Sequence, residues 1–295
     1  MKLLRAATLT VADLEAARKR YSEYLDYGVI DEGEVPADLA ESWDAPKSSG
    51  QPYLVMEPAS GTDIFLRLIE QPAHPDFVPL RSYGWAAIEI CVQDVLEANA
   101  RVTRPGSPFE VIGPPREIEG LPAIYPMQVK GPDGEVVYLT QIRDDLPAYD
   151  LPRATAPIDR LFILVMACSD MRASNRWMET HAGVEMGREM DIVYTMLAGA
   201  FGTPIDELHT ISTMIHGRDV FLELDQYPPA ATPRPRHEGM LSPGCAIGTF
   251  WHPDFDALPG PWITPPVPRP GPVYKGRRVG TMKDLDGTLI EMVEG

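Results

Sequence analysis

Asp63-Ile64-Phe65-Leu66-Arg67-Leu68 and Asp219-Val220-Phe221-Leu222-Glu223-Leu224 read as one strand written twice. Both follow the pattern D-[IV]-F-L-x-L, and they differ in charge at one place, Arg67 against Glu223. Other landmarks recur at nearly the same spacing. Asp133-Gly134 before Glu135-Val136-Val137-Tyr138-Leu139 returns as Asp286-Gly287 before Thr288-Leu289-Ile290-Glu291-Met292, each a turn followed by a strand. Asp13-Leu14-Glu15-Ala16-Ala17 returns as Asp170-Met171-Arg172-Ala173-Ser174, where each aspartate is an N-cap for the helix it opens. Ser82-Tyr83-Gly84 and Ser242-Pro243-Gly244 open corresponding apolar strands, with Asp94 and Asp254 at matching distances beyond. A spacing this constant marks an internal repeat, so the chain is two related halves.

Each half divides again. Residues 3–11 read as a strand and 13–26 as a helix whose Leu14, Ala17, Tyr21, Tyr24 and Leu25 form one apolar face. Residues 52–57 and 63–69 read as a hairpin around Ser60-Gly61. The order strand, helix, three strands returns in 161–168, in a helix over 170–182 stopped by Gly183, and in strands 192–196, 209–215 and 220–224. The second and fourth units are less regular. Pro105 and Pro108 interrupt the second, and Pro259, Pro261, Pro265, Pro266, Pro268, Pro270 and Pro272 crowd the fourth, so a short or absent helix is expected in both. The proline-dense stretch reads as an extended, semi-rigid loop, either a surface excursion or a cover over a pocket. The predicted fold is therefore α+β, with four βαβββ modules in two domains at 1–144 and 158–295. Residues 145–157, with Asp145, Pro147, Asp150, Pro152 and Pro157, read as the linker. Which modules pair to close each sheet stays open at this level.

Composition narrows the function classes. Apolar residues at 44% and charged residues at 23% are those of an ordinary globular protein. A formal net charge of −17 argues against nucleic acid and anionic membranes, both of which select basic surfaces. The longest apolar run, 161–168, is far short of a membrane helix, and residues 1–11 carry Lys2 and Arg5 with no secretory pattern. Three cysteines, Cys91, Cys168 and Cys245, are too few for a disulfide framework and suit a reducing cytoplasm. There is no GxSxG elbow, no GxGxxG after a strand and no phosphate-binding GxxxxGK[ST]. A cytoplasmic protein is expected.

The strand followed by Asp-Leu-Glu-Ala-Ala with Tyr21 and Leu25 downstream, together with Pro132-Asp133-Gly134 and Asp286-Gly287, resembles the vicinal oxygen chelate superfamily of glyoxalases, bleomycin-resistance proteins and extradiol dioxygenases. The likeness runs through all four modules. It implies glyoxalase-like domains in which two modules close a cup around a divalent metal. Its ligands would be a His or Gln seven residues before each cap aspartate and a Glu four residues after the glycine of the last hairpin. Here the first set of positions holds Ala6, Ala87, Ile163 and Ile247, all aliphatic. A register moved by two residues offers Thr8, Glu89, Val165 and Thr249, or Leu4, Trp85, Leu161 and Cys245, and restores no histidine.

Carboxylates survive at the family's acidic positions in the second half as Glu223 and Glu291, whereas the first half has Arg67 and Tyr138. Glu223 and Glu291 are thus expected to face each other across the C-terminal cup, as metal ligands or as acid and base. The plain alternative is two solvated strand positions. His209 is the best further donor and is counted with them, while His216 and His209 alike read more simply as polar edge residues. Arg67 and Tyr138, with Trp251 and His252, are candidate substrate contacts; packing alone accounts for them equally well. Trp85 and Trp262 stay unassigned, and His181 reads as a helix-end residue. The leading expectation is a lyase or isomerase that moves a proton next to a carbonyl. A metal-free binding protein of the bleomycin-resistance type is the alternative, and an extradiol dioxygenase is less favoured because its histidines are missing. A divalent metal and no metal are both compatible with these residues, and the resemblance allows a homodimer.

Overall fold

The computed structural model describes residues 2–295 and contains sixteen strands and five α-helices. The first unit runs β1 (Leu4–Val11), α1 (Leu14–Leu25), β2 (Tyr27–Glu34), α2 (Ala37–Ser42), β3 (Pro52–Pro58) and β4 (Phe65–Glu70). The second runs β5 (Gly84–Val92), α3 (Val95–Val102), β6 (Glu110–Gly113), β7 (Ile124–Lys130) and β8 (Val136–Ile142). The third runs β9 (Ile158–Cys168), α4 (Met171–Trp177), β10 (Glu185–Val193), α5 (Thr195–Phe201), β11 (Leu208–His216) and β12 (Asp219–Gln226). The fourth has β13 (Gly244–His252), β14 (Val267–Pro268), β15 (Arg278–Lys283) and β16 (Leu289–Glu294), with a single 3-10 turn at Phe255–Ala257 where its helix would stand. Among the described residues no helix is long and apolar enough to cross a membrane.

The aspartates cap as expected. Asp13 accepts from the Ala16 amide at 2.9 Å, Asp94 from the Leu96 amide at 2.7 Å, and Asp170 from the Ala173 amide at 2.9 Å. α4 runs on through a π-helical turn, Met178–Ala182, and stops at Gly183, whose φ of 62° is left-handed. One strand boundary differs from the expectation. Residues 192–196 are not a strand: β10 ends at Val193, and Thr195 and Met196 open α5. Most of β10 is exposed and polar at a sheet edge, so it lacks the alternation that marks a half-buried strand. The apolar run that suggested a strand belongs to the junction and to the buried face of α5.

The sixteen strands form two eight-stranded mixed sheets. The terminal sheet has the order β14-β15-β16-β13-β1-β4-β3-β2, and the middle sheet β10-β11-β12-β9-β5-β8-β7-β6. The first unit thus pairs with the fourth, and the second with the third. The seams are antiparallel, β1 with β13 and β5 with β9, while the first and last strands of each unit run parallel. A division at 145–157 therefore separates the two halves of the sequence but not the two sheets.

Along their seams the sheets are covered on both faces: β1 and β5 are buried at every position and β13 at all but Trp251. One face of both sheets shares a core with α1, α3 and α4, including Trp85, Phe221 and Phe250. Phe221 meets Phe250 edge-on with ring centres 5.5 Å apart, and the Trp85 indole donates to the Leu289 carbonyl at 2.8 Å. The opposite faces are separate clusters, one per sheet, and form the two cups. Gly248 is what lets the sheets approach: a Cβ there would stand 2.6 Å from the Trp85 ring and 2.8 Å from Leu164. Gly248→Ala is expected to destabilise the chain by about 1–3 kcal/mol through overpacking, read as a lower urea midpoint with an unchanged slope.

α2 and α5 occupy corresponding places in the first and third units and cover corresponding cups. Leu39, Ala40 and the following Trp43 pack into the terminal cup; Tyr194, Met196 and Leu197 pack into the middle one. The proline-dense stretch also covers the terminal cup through Val273 and Tyr274, and the segment read as a linker lays Tyr149, Leu151 and Ala154 over the middle cup.

Candidate functional site

The strand register fixes which side chains meet on each cup floor. In the terminal sheet Thr8 pairs with Arg67 and Thr249 with Glu291; in the middle sheet Glu89 pairs with Tyr138 and Val165 with Glu223. Thr8, Glu89, Val165 and Thr249 each stand five residues before the cap aspartate of their unit. Of the spacings considered, it is therefore the register shifted by two residues that brings these positions level with the last strand.

Glu223 and Glu291 do not face each other, a correction to the sequence reading. Glu291 lies on β16 of the terminal sheet and Glu223 on β12 of the middle sheet, because the cups are closed across the halves and not within them. Glu291 instead meets Arg67, and Glu223 shares a floor with Tyr138.

The terminal cup is a closed polar cluster. Arg67 and Glu291 are both buried and form an ion pair at 3.2 Å. The Arg67 guanidinium also donates to Thr8 Oγ1 at 2.9 Å and to the Tyr274 hydroxyl, and lies over the Trp43 ring at 4.7 Å. Glu291 accepts from the Trp43 indole at 2.8 Å, the Thr249 hydroxyl at 2.8 Å and the Tyr274 hydroxyl at 3.0 Å. Its carboxylate is thus engaged on both oxygens by the protein itself.

The middle cup has the opposite character. Glu89 on β5, Glu223 and Asp225 on β12, Tyr138 and Thr140 on β8, His209 and Thr213 on β11, and Tyr194 before α5 belong to it. Glu89 accepts from Thr140 Oγ1 at 2.6 Å, and the Tyr138 and Tyr194 hydroxyls are hydrogen-bonded to each other. Both oxygens of Asp225 are buried beside the Glu223 carboxyl and the Tyr194 hydroxyl, and no N–H donor reaches either. Among the described residues none of these three carboxyls has an ion-pair partner.

Burial without a cation raises proton affinity. Glu89 is pushed up to about 8, by burial first and then by the Glu223 carboxylate, against the Thr140 hydrogen bond. Burial, then the charge of Asp225, holds Glu223 well above the ordinary range, and burial raises Asp225 against Tyr194 and Glu223. The group therefore shares protons at neutral pH rather than holding three charges. Burial likewise keeps Tyr138 and Tyr194 protonated, as donors. His209 is lowered by burial, and its Nε2 has no hydrogen-bond partner. Glu223 as a residue is half-buried, whereas Glu89 and Asp225 are buried.

The remaining candidates lie apart. Trp251 stands at the terminal cup, with the Arg5 guanidinium 4.8 Å above its ring. His252 is buried elsewhere, taking the Asp254 amide on Nδ1 at 3.1 Å and lying against Gly183. His181 joins the end of α4 to the Gly260 carbonyl, and Trp262 stacks on Phe255 at 5.4 Å. His216 ends β11 opposite Asp219.

A divalent metal fits neither floor. The terminal cup offers one carboxylate already paired with arginine, and a guanidinium repels a cation at that range. In the middle cup the place level with Glu223 is Val165, which donates nothing, and among the described residues no three His, Cys, Asp or Glu side chains are placed to hold an ion.

Two signals for this site were present in the sequence. Glu89 is the sole charged residue in 84–92, a strand otherwise apolar enough to be central, and Asp225 follows Glu223 by two, hence on the same face. Trp43, Tyr194 and Tyr274 had no such signal, because they arrive from α2, the α5 junction and the proline-dense loop.

Two mixed sheets, each joining two four-strand units with parallel outer strands, define the glyoxalase-like class of α+β proteins. Solved structures place the chain there. It superposes on glyoxalase I from Zea mays with a TM-score of 0.65, at 18% sequence identity, over 100% of this chain and 92% of that one. A putative dioxygenase from Bacillus subtilis gives a TM-score of 0.59 at 12% identity, over 99% and 86%. No family model and no curated protein matches the chain in sequence. The vicinal oxygen chelate resemblance holds for the fold.

Proposed function

We propose that the middle cup is the working site of a small-molecule lyase or isomerase, in which Glu223 moves a proton next to a carbonyl. One observation carries the proposal: a half-buried glutamate whose proton affinity is raised by burial and by Asp225 stands on a cup floor beside two protonated tyrosines. A base is most useful when its proton affinity lies above that of an ordinary carboxylate, and Glu223 is raised in that direction, by burial first and then by Asp225. Of the Tyr138 and Tyr194 hydroxyls, hydrogen-bonded to each other, one keeps an O–H to hold an oxygen that gains negative charge as the proton leaves. α5 and residues 145–157 cover the cup and limit water. Glu291, with its oxygens engaged by Arg67, Trp43, Thr249 and Tyr274, is assigned to holding the terminal cup together.

The test is deuterium exchange into a set of small oxo compounds in D2O, followed by NMR. Glu223→Gln is expected to slow the exchange by about 10²–10⁴-fold. An unchanged rate sinks the role. The second reading, a metal-free binding protein, draws on the aromatic and apolar lining of the same cup. It takes over if compounds bind there and none exchanges.

A further inference from the structure

The two cups are copies, and the contrast between their floors carries information that neither holds alone. Position by position, Arg67 corresponds to Glu223 and Glu291 to Tyr138, while α2, followed by Trp43, and α5, preceded by Tyr194, cover corresponding cups. The terminal cup contains its own organic cation. The Arg67 guanidinium lies over Trp43 at 4.7 Å and within 5.5 Å of the Tyr274 ring centre, and is bound by the Glu291 carboxylate.

The middle cup has carboxylates, at other positions, and aromatic rings, and lacks the cation. Glu89, Glu223 and Asp225 stand among Tyr138, Tyr194 and Tyr227, with no lysine or arginine paired to any of the three among the described residues. Two observations independent of the acid count mark it as a site that seeks donors. Asp225, 1% exposed, has no N–H donor on either oxygen, its close neighbours being the Glu223 carboxyl and the Tyr194 hydroxyl. His209, 7% exposed, lies on the cup side of β11 beside Tyr194, with ring centres 6.4 Å apart, and its Nε2 is also unpartnered. The nearest acid to that nitrogen, Glu207, is 4.0 Å away and largely outside. Buried acceptors are ordinarily satisfied, and vacancies gathered on one floor define the chemistry of what fills them.

We infer that the middle cup binds a small organic cation, a guanidinium or ammonium group carried on a compact organic body. Its N–H donors meet Asp225, Glu223 and Glu89, its charge lies against Tyr138 and Tyr194, and it takes the place that Arg67 takes in the terminal cup. Guanidinium and ammonium share the two properties that matter, positive charge and several N–H donors directed at carboxylates. The ordered tyrosines supply negative ring faces to the same charge. This rests on the middle cup being the ligand site proposed above, and it adds the class of ligand.

The experiment compares charge at constant shape. Benzamidine, benzamide and benzoate, and separately methylguanidine, acetamide and acetate, are titrated by calorimetry against the full chain at pH 7.5, up to roughly 10 mM, a range that detects weak fragment binding. At least one cation is expected to bind at least tenfold more tightly than its neutral and anionic counterparts. Asp225→Asn and Glu89→Gln, near-isosteric changes checked for an unaltered circular dichroism spectrum, are each expected to remove most of that preference. Equal or tighter binding of benzamide or benzoate overturns the inference. So does the absence of binding by both cations, or a cation preference that survives in both variants. The two proposals fail separately. A cation that binds while no compound exchanges deuterium leaves this inference standing and removes the proton-transfer role, whereas exchange of neutral oxo compounds without cation binding does the reverse.

Discussion

Arg67→Ala is expected to lower the unfolding free energy by about 3–5 kcal/mol, the size of effect seen when one partner of a buried ion pair is removed. The cause is what stays behind. Glu291 is fully buried, and without Arg67 its charge would face only the Trp43 indole and the Thr249 and Tyr274 hydroxyls. Thr8 would lose its donor, and Trp43 and Tyr274 the stem and guanidinium packed on their rings. Urea unfolding measures the loss. Glu223→Gln in the same assay is expected to change stability little or to raise it at alkaline pH, since no buried cation is left behind when Glu223 is neutralised. A loss of several kcal/mol from Glu223→Gln, or none from Arg67→Ala, would show that the two cups have been assigned the wrong way round.

The second large effect is the dependence of stability on pH. Glu89 holds its proton up to about 8 in the folded chain, against about 4.3 for a free glutamate. Between those values the folded state binds more protons than the unfolded state, so stability falls as pH rises. Each factor of ten in proton affinity is worth about 1.4 kcal/mol, which puts this one group at a few kcal/mol, lost in full above the folded value. Glu223 and Asp225 act in the same direction, and so does Asp284, raised by burial to about 6. His209 and His252, lowered by burial, act oppositely around their ordinary value near 6.5. Asp63 is lowered by its hydrogen bonds to Arg5 and Lys275 against burial, and Asp44 chiefly by Lys283; both lose stabilisation in acid. Melting temperature is therefore expected to peak near pH 5–6 and to fall by several degrees toward pH 9. Glu89→Gln flattens that alkaline limb. A melting temperature that rises from pH 6 to pH 9 would contradict the assignment of these carboxyls as protonated in the folded state.

The fold was legible because its signals are local and repeated. A capping aspartate, a glycine at a turn and D-[IV]-F-L-x-L each act over a few residues, and four units supply several chances to see them. The site was legible only in part, because a cup floor is a property of register and pairing. The β4 and β12 positions, Arg67 and Glu223, followed from the repeat, but their partners depended on which units join. Read within one half, Glu223 belongs with Glu291; across the seam it belongs with Glu89. The covers were hidden for a related reason. Tyr194 lies where an exposed edge strand gives way to a short helix, and Tyr274 lies beyond a run of prolines, so neither sits in a pattern whose period reveals the face it presents.

The pairing of the units also imposes an order on assembly. The middle sheet is contiguous along the chain, its two units following one another, whereas the terminal sheet joins Leu4 to Phe250 and brings the Trp251 amide onto the Leu3 carbonyl. The arrangement is that of nested brackets: the inner pair closes on itself, and the outer pair closes around it only once the last strands exist. A nascent chain must therefore hold β1 to β4 as an open half-sheet, with the β1 edge unpaired, throughout synthesis of the inner pair. Tyr27, whose hydroxyl donates to the Asp159 carbonyl at 3.0 Å and accepts from the Leu161 amide at 3.1 Å, ties that waiting half to the inner sheet. The sealed terminal cup is thus also the last part of the molecule to acquire its interior.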